Sequence, residues 1–179
     1  MRTIALFGGS FDPPHLGHEA IVKVLNKLDF IDKIIVMPTF LNPFKSSSVA
    51  SATQRLEWLK EIFLPIKKVE VSSFEVEKNT KVSTLETVTY LLKSYEKVYV
   101  VIGADNLKSL TQWQGFEELK NKVTFIVASR EKIDIPKDFI CLEIDENISS
   151  SQLRNKMNIN QLSKINAEKI VTYYKENNE

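Results

Sequence analysis

The first 28 residues spell out a strand, a turn and a helix, and this unit narrows the fold more than any other stretch. Thr3-Ile4-Ala5-Leu6-Phe7 is an apolar run of strand length. After the turn, Ala20, Ile21, Val24, Leu25 and Leu28 recur at helical spacing, with Lys23 and Lys27 on the other side. Between them lies Gly8-Gly9-Ser10-Phe11-Asp12-Pro13-Pro14-His15-Leu16-Gly17-His18. Gly8 and Gly9 are expected to turn the chain sharply and present bare backbone N–H groups. Pro13 and Pro14 delay the helix until they are passed. At helical spacing His15 and His18 face the same way, with Gly17 leaving room between them. A helix N-terminus offers free N–H groups and a favourable dipole to anions. Glycine turn, helix start and two convertible cations together describe a phosphate site.

Simpler readings exist: a glycine pair is often only a turn, and a histidine often only packs. A zinc site would need a third or fourth ligand, and the chain has just two histidines and one cysteine. The Walker A pattern and Gly-x-Gly-x-x-Gly are both absent.

Further along, residues 33–38 read as a second buried strand, followed by a polar loop over 39–51. Residues 53–63 form an amphipathic helix, 69–71 a short strand, and 84–95 another helix. Val98-Tyr99-Val100-Val101-Ile102 is the most hydrophobic strand, stopped by Gly103; 123–127 and 139–144 complete the set. The stretch 131–138 reads as a loop, and 161–174 as short terminal helices. Strands apolar on both faces that alternate with helices predict a parallel sheet covered on both sides. No repeat or composition break divides the 179 residues, so one domain over 1–179 is expected. In such sheets ligands bind beyond the carboxyl ends of the strands. The first motif, the 39–51 loop, Gly103-Ala104-Asp105 and the segment near Ser149 all follow strands and can converge there.

A net charge of +1 gives no broad field for nucleic acid or an anionic membrane, so any anion site is local. No apolar run is long enough for a signal peptide or a membrane span. The single Cys141 reads as buried filler, and one cysteine suits a reducing cytoplasm. Oligomeric state leaves no signature.

Ser149-Ser150-Ser151-Gln152-Leu153-Arg154 is a second marked element. Serines cap helices; three hydroxyls, fresh N–H groups and Arg154 one turn in also suit a polyphosphate. Lys45 lies in the loop after the second strand, and Arg55 at the next helix start reads as no more than a surface cation. Asp105 could cap a helix, Ser83-Thr84 reads as a capping pair, and Trp113 stands among polar neighbours, either packed or free to stack.

The first motif resembles the (His/Thr)-x-Gly-His signature of the nucleotidyltransferase superfamily. Its longer form, with Ser10-Phe11-Asp12-Pro13, is similar to that of the bacterial nicotinate-nucleotide adenylyltransferases, and the resemblance runs in order from Ile4 to Arg154. It implies a Rossmann-like α/β fold and transfer of AMP from ATP to nicotinate mononucleotide, giving deamido-NAD and pyrophosphate. His15 and His18 would then be catalytic. Gly8, Gly9, Ser10, Phe11, Gly103, Asp105, Ser149, Ser150, Ser151 and Arg154 would bind ATP, with Asp105 on ribose hydroxyls or on the reacting phosphates. Lys45, Thr84 and Trp113 would meet the second substrate: Lys45 its phosphate, Thr84 the nicotinate carboxylate, Trp113 the pyridine ring. Magnesium is expected on the triphosphate, without a protein cage of carboxylates. Alternatives are phosphopantetheine adenylyltransferase or another small-substrate member, and a non-catalytic nucleotide sensor. A class I aminoacyl-tRNA synthetase would need tRNA-binding domains and a basic surface that this chain lacks.

Overall fold

Six runs rich in Val and Ile pair into a single parallel sheet. In the computed structural model, which describes residues 2–131 and 133–177, these are β1 (Thr3–Gly9), β2 (Lys33–Pro38), β3 (Val69–Val71), β4 (Lys97–Gly103), β5 (Val123–Ser129) and β6 (Ile140–Glu143). Lys132 of the expected 131–138 loop lies outside the described residues. The helices are α1 (Leu16–Asn26), α2 (Ala52–Phe63), α3 (Phe74–Glu77), α4 (Thr84–Leu91), α5 (Ala104–Leu107), α6 (Phe116–Lys122), α7 (Ser150–Asn155) and α8 (Ala167–Asn177). Strand order is β3-β2-β1-β4-β5-β6, with every pairing parallel.

Alternate strand residues point to opposite faces, and each face has its own core. Ala5, Phe7, Val36 and Val101 pack with Val22 and Leu25 of α1 and Leu59 and Ile62 of α2. Ile4, Leu6, Val100 and Ile102 pack on the other side with Val88 and Leu91 of α4 and Leu119 of α6. A third cluster docks α8 through Ile170 and Tyr174 against Trp58 of α2 and Leu153 of α7. The expected three-layer α/β domain is therefore present. Strand order reverses between β1 and β4, the usual place for a ligand crevice beyond the strand ends.

Several local expectations change. Gly8 and Gly9 are not the turn: they are the last residues of β1, in register with Met37 and Pro38 of β2. The left-handed position belongs instead to Phe11, at φ 51°. Helix α4 stops at Leu91, short of 95, with Leu92 as its C-cap. Cys141 is exposed rather than buried, because β6 is a short edge strand that turns Leu142 inward and its neighbours outward. No helix among the described residues is long and apolar enough to cross a membrane.

Candidate active site

The histidine pair builds the start of α1. His15 is the N-cap, and its Nδ1 accepts the Gly17 N–H at 3.1 Å. His18 Nδ1 accepts the His15 N–H at 3.1 Å, so the two imidazoles form a reciprocal capping box. Their rings stack, with centroids 3.7 Å apart, and Phe11 meets His18 edge-on. Gly17 is needed for this: a Cβ there would lie 2.8 Å from His15 Cε1. The room that Gly17 provides is filled by the His15 ring itself.

This geometry decides the charge of the pair. Burial lowers His15 to about 4, and His18 is held well below the usual imidazole value by burial and by its neighbour His15. Each Nδ1 lone pair is already spent on a backbone N–H, so in each ring the proton resides on Nε2. The convertible cations expected from sequence are, in this structure, two neutral donors.

Positive charge comes from elsewhere. Asp12, 3% exposed, is the organising residue. Its carboxylate accepts the N–H groups of Val49 and Ala50, each at 2.9 Å, and the Tyr174 hydroxyl; its carbonyl accepts Arg154 Nη1 at 2.7 Å. Ser150 Oγ donates to Pro13 O at 2.8 Å, a second tie between α7 and the first loop. Ser149 caps α7 by accepting from Gln152 N, and Ser151 is exposed. Lys45 is set by a small turn, with its own N–H on Asn42 O and the Phe44 N–H on Asn42 Oδ1, and its Nζ lies 3.5 Å from Ser10 Oγ. Partial desolvation lowers the Lys45 ammonium first and the Arg154 charge second, against a raising pull from Asp12. Lys45 and Arg154 thus share one positive field, one loop away from the histidines.

Arg55 corrects the surface-cation reading, being wholly buried. Its Nε donates to Ala50 O, Nη1 to Ser10 O and Thr39 O, and Nη2 to Phe40 O, at 2.6–3.1 Å. It clamps the loops after β1 and β2 to the start of α2.

Beside this corner lies a cavity of about 150 Å³ at the ends of β1 and β4. Gly8, Gly9, Thr39, Phe44, Trp113 and the Ser83–Thr84 pair are among its walls. Trp113 is half-buried: it packs against the α4–α6 core and also lines the cavity. Ser83 caps α4 by accepting from Glu86 N at 3.2 Å, which leaves Thr84 as the first helical residue. Gly115, at φ 67°, passes so close to Leu85 that a Cβ would sit 2.3 Å from its Cδ2, and this contact holds the Trp113 segment against α4. A Cβ on Gly103 would meet nothing within 4 Å, so the strand end opens onto free space. Asp105 is exposed in the first turn of α5; the cap is Gly103, and no side chain caps that helix. Thr39 Oγ1 is buried with no hydrogen-bond partner among the described residues.

The structure brings the first motif, Lys45 and the Ser150–Arg154 turn together in one corner, and sets Gly8, Gly9, Trp113 and the Ser83–Thr84 pair around the adjoining cavity, while Asp105 stands exposed between cavity-lining Ile102 and Asn106. Asp12, Tyr174 and Glu75 had no expected role. Asp12 was visible inside the motif, but nothing in the sequence signals that Tyr174 reaches it across 162 positions.

Comparison with known proteins finds relatives along nearly the whole chain. The cytidylyltransferase-like family model matches residues 6–156. A Sulfurimonas denitrificans protein named "probable nicotinate-nucleotide adenylyltransferase" is 57% identical over 98% of this chain and 97% of its own. A Campylobacter jejuni protein of the same name is 46% identical over 96% of both chains. In fold, the chain is similar to a Plasmodium falciparum nicotinic acid mononucleotide adenylyltransferase complexed with NaAD, with a TM-score of 0.80, 23% identity and full coverage of both chains.

Proposed function

The chain belongs to the nicotinate-nucleotide adenylyltransferases of the cytidylyltransferase-like family, which act in NAD biosynthesis, and from that premise we propose how its residues carry the reaction. Its substrates are ATP and nicotinate mononucleotide. A phosphate oxygen of the mononucleotide attacks the α-phosphorus of ATP, the bond to the β-phosphate oxygen breaks, and pyrophosphate leaves. That nucleophile is already an anion, so no general base is needed. The barrier lies in bringing anions together and in the charge that grows on the α- and β-phosphates, which makes positioning and electrostatics the tools.

One observation carries the assignment: Asp12 gathers the β1 loop, the 39–51 loop, α7 and α8 onto one point beside the ring-lined cavity. His18 donates its Nε2–H to the α-phosphate, and His15 to the neighbouring phosphates. Neutral donors suit this role, because their bonds strengthen as charge develops without a cation to desolvate first. Lys45 and Arg154 supply the full charges. Gly8, Gly9, Ser10 and Phe11 form the backbone floor at the end of β1. Ser149 keeps its proton for a phosphate oxygen and Ser151 stands open, whereas Ser150 acts through its staple to Pro13 O. An exposed carboxylate repels phosphate but accepts from sugar hydroxyls, so Asp105 beside Gly103 belongs with the ribose. Trp113 stacks on the pyridine ring and the first turn of α4, at Thr84, receives its carboxylate.

Magnesium fits as a passenger of the triphosphate, supplying charge neutralisation there. The Asp12 carboxylate is spent on protein donors, and among the described residues no three His, Cys, Asp or Glu side chains gather as a cage. The lone Cys141 suits a reducing cytoplasm.

A coupled pyrophosphate-release assay tests the reading, with nicotinate mononucleotide, nicotinamide mononucleotide and phosphopantetheine as acceptors. Turnover should be fastest with the first. Preference for phosphopantetheine, or no release with any acceptor, would overturn it.

A further inference from the structure

A carboxyl group lines the cavity beside the first turn of α4, where the proposed function puts the nicotinate carboxylate. Glu75, on α3, is 6% exposed and lines the cavity with Val82, Ser83, Thr84 and Trp113. Its Oε2 accepts the hydroxyl of Thr87 at 2.8 Å, and Thr87 lies one helical turn beyond Thr84 on α4. The Glu75 carboxyl is therefore pinned beside the first turn of α4. No cation compensates it: the ion pairs among the described residues are Lys33–Glu70, Lys120–Glu117, Lys122–Glu118 and Lys169–Glu61.

Among the described residues the surroundings offer no other charge that could take over; Lys45 and Lys81, next to cavity-lining Phe44 and Val82, are exposed. Glu86 of α4 acts on Glu75 with the same sign. Glu77 and Lys78 on its own helix, Glu57 and Lys60 of α2, and Asp105 and Lys108 near α5 are all exposed. Arg55 of α2 is buried but committed to four carbonyls. On β2 the one charged residue, Lys33, is paired with Glu70. Burial raises Glu75 to about 7, with Thr87 pulling the other way and Glu86 adding to the rise.

We propose that Glu75 is a specificity-determining residue that keeps one proton between its own carboxyl and the carboxylate of nicotinate mononucleotide. This rests on the placement of the pyridine ring in the Trp113 cavity. Two carboxylates in one desolvated site cannot both remain ionised, so the second stays only if the pair holds a proton. Binding then adds one proton from solvent to Glu75 wherever Glu75 is ionised beforehand. The protonated carboxyl donates to the substrate carboxylate, beside the N–H groups of α4. Nicotinamide has an amide in that place and needs no such proton; an ionised Glu75 accepts from its NH₂. The same side chain thus favours nicotinate when protonated and tolerates nicotinamide when ionised.

Calorimetric titration of the full chain at about pH 8, in two buffers of different ionisation enthalpy, counts the protons taken up with each mononucleotide. The 5′-phosphate is common to both ligands, so the difference isolates the pyridine substituent. Nicotinate mononucleotide should take up close to one proton more than nicotinamide mononucleotide. Above Glu75's free value, the ratio of nicotinate to nicotinamide kcat/KM should fall by about tenfold per pH unit. In Glu75→Gln the extra proton should vanish and the ratio should become flat with pH, because Gln donates an N–H at every pH and still accepts from Thr87. A side chain that only supported α4 would leave both slopes alike. Equal uptake with the two ligands in the unmodified protein overturns the proposal without any variant, as does an uptake difference that survives in Glu75→Gln. If neither mononucleotide binds, the functional reading falls first and this proposal with it.

Discussion

The proposed phosphate corner and the proposed pyridine cavity sit side by side and are held by opposite means. In the corner, distant segments are tied by directional polar bonds: Asp12 to residues 49, 50 and 174, Arg55 to four carbonyls, Arg154 and Ser150 to the first loop. The cavity rests instead on the strand ends, on Trp113 leaning against the α4–α6 core, and on a glycine contact with Leu85. On the proposed reading the difference follows from the ligands. Phosphates demand charges at fixed positions, and charges stay fixed in a protein only when their neighbours are satisfied. A flat ring needs a wall and one end that discriminates. Substitutions should therefore act cooperatively in the corner and separately in the cavity.

The largest effect should come from Arg55→Met. It removes the donors to Ala50, Ser10, Thr39 and Phe40 while keeping much of the volume. Buried acceptors left unpaired cost about 1–3 kcal/mol each, so a loss of at least about 3 kcal/mol in unfolding free energy is expected. Urea denaturation measures it. A loss below about 0.5 kcal/mol would mean the loops do not depend on this clamp.

His18→Ala should spare the fold better and the reaction less. Turnover is expected to fall by roughly 10²–10³, with little change in the KM for ATP, since the lost donor meets charge that grows in the transition state. Steady-state pyrophosphate release checks this, and near-normal kcat would remove His18 from the chemistry.

How far the sequence already showed these two regions differs as well. The cavity and sheet were legible because they follow from local patterns: strand runs, helical periodicity, and the rule that sites form beyond parallel strands. Trp113 and Thr84 were linked to one substrate only by the resemblance, and both line the same cavity. The corner was legible in its members but not in its wiring. Gly8 and Gly9 looked like a turn because glycine permits one, yet pairing with β2 kept them extended and moved the left-handed residue to Phe11. His15 and His18 looked like cations because an isolated imidazole titrates near neutrality; burial holds them neutral, and their use as helix caps fixes which nitrogen keeps the proton. Arg55 looked exposed because arginine usually is, and its four carbonyl partners come from three separate loop positions that no local pattern relates.

Arg154→Ala tests the other arginine of the corner. Arg154 is half-buried and donates to Asp12 O, whereas Arg55 is wholly buried and donates to four carbonyls. Losing a charged donor to phosphate is worth about 1.5–3 kcal/mol, so ATP affinity should drop roughly tenfold to a hundredfold. Stability should change much less than in Arg55→Met. Titration with a non-hydrolysable ATP analogue, alongside urea denaturation of both variants, compares the two. Unchanged affinity in a folded Arg154→Ala protein would reduce α7 to a capped helix that only staples the first loop.

The smallest effect belongs to the cavity, and it sharpens the contrast most. Nicotinate and nicotinamide rings have nearly the same shape and stack alike, so Trp113 cannot tell them apart. An aromatic contact of this kind contributes about 0.5–1.5 kcal/mol beyond its area. Trp113→Ala should therefore weaken both mononucleotides several-fold and leave their ratio mostly intact. On the proposed reading discrimination lies at the other end of the ring, where the Thr84 hydroxyl, the first N–H groups of α4 and the protonated form of Glu75 suit an anion and leave an amide's NH₂ facing donors. Unpaired groups of that sort cost about 1–3 kcal/mol, which sets a nicotinate preference of at least about tenfold while Glu75 is protonated. Thr84→Val should compress that ratio while leaving stacking untouched. If the two ends of the cavity are as independent as its construction implies, the double variant should combine the two effects additively. Specificity constants for both mononucleotides in the four proteins decide it. A ratio that collapses in Trp113→Ala alone would show that ring orientation, not the α4 terminus, selects the substrate, and would make the cavity as cooperative as the corner.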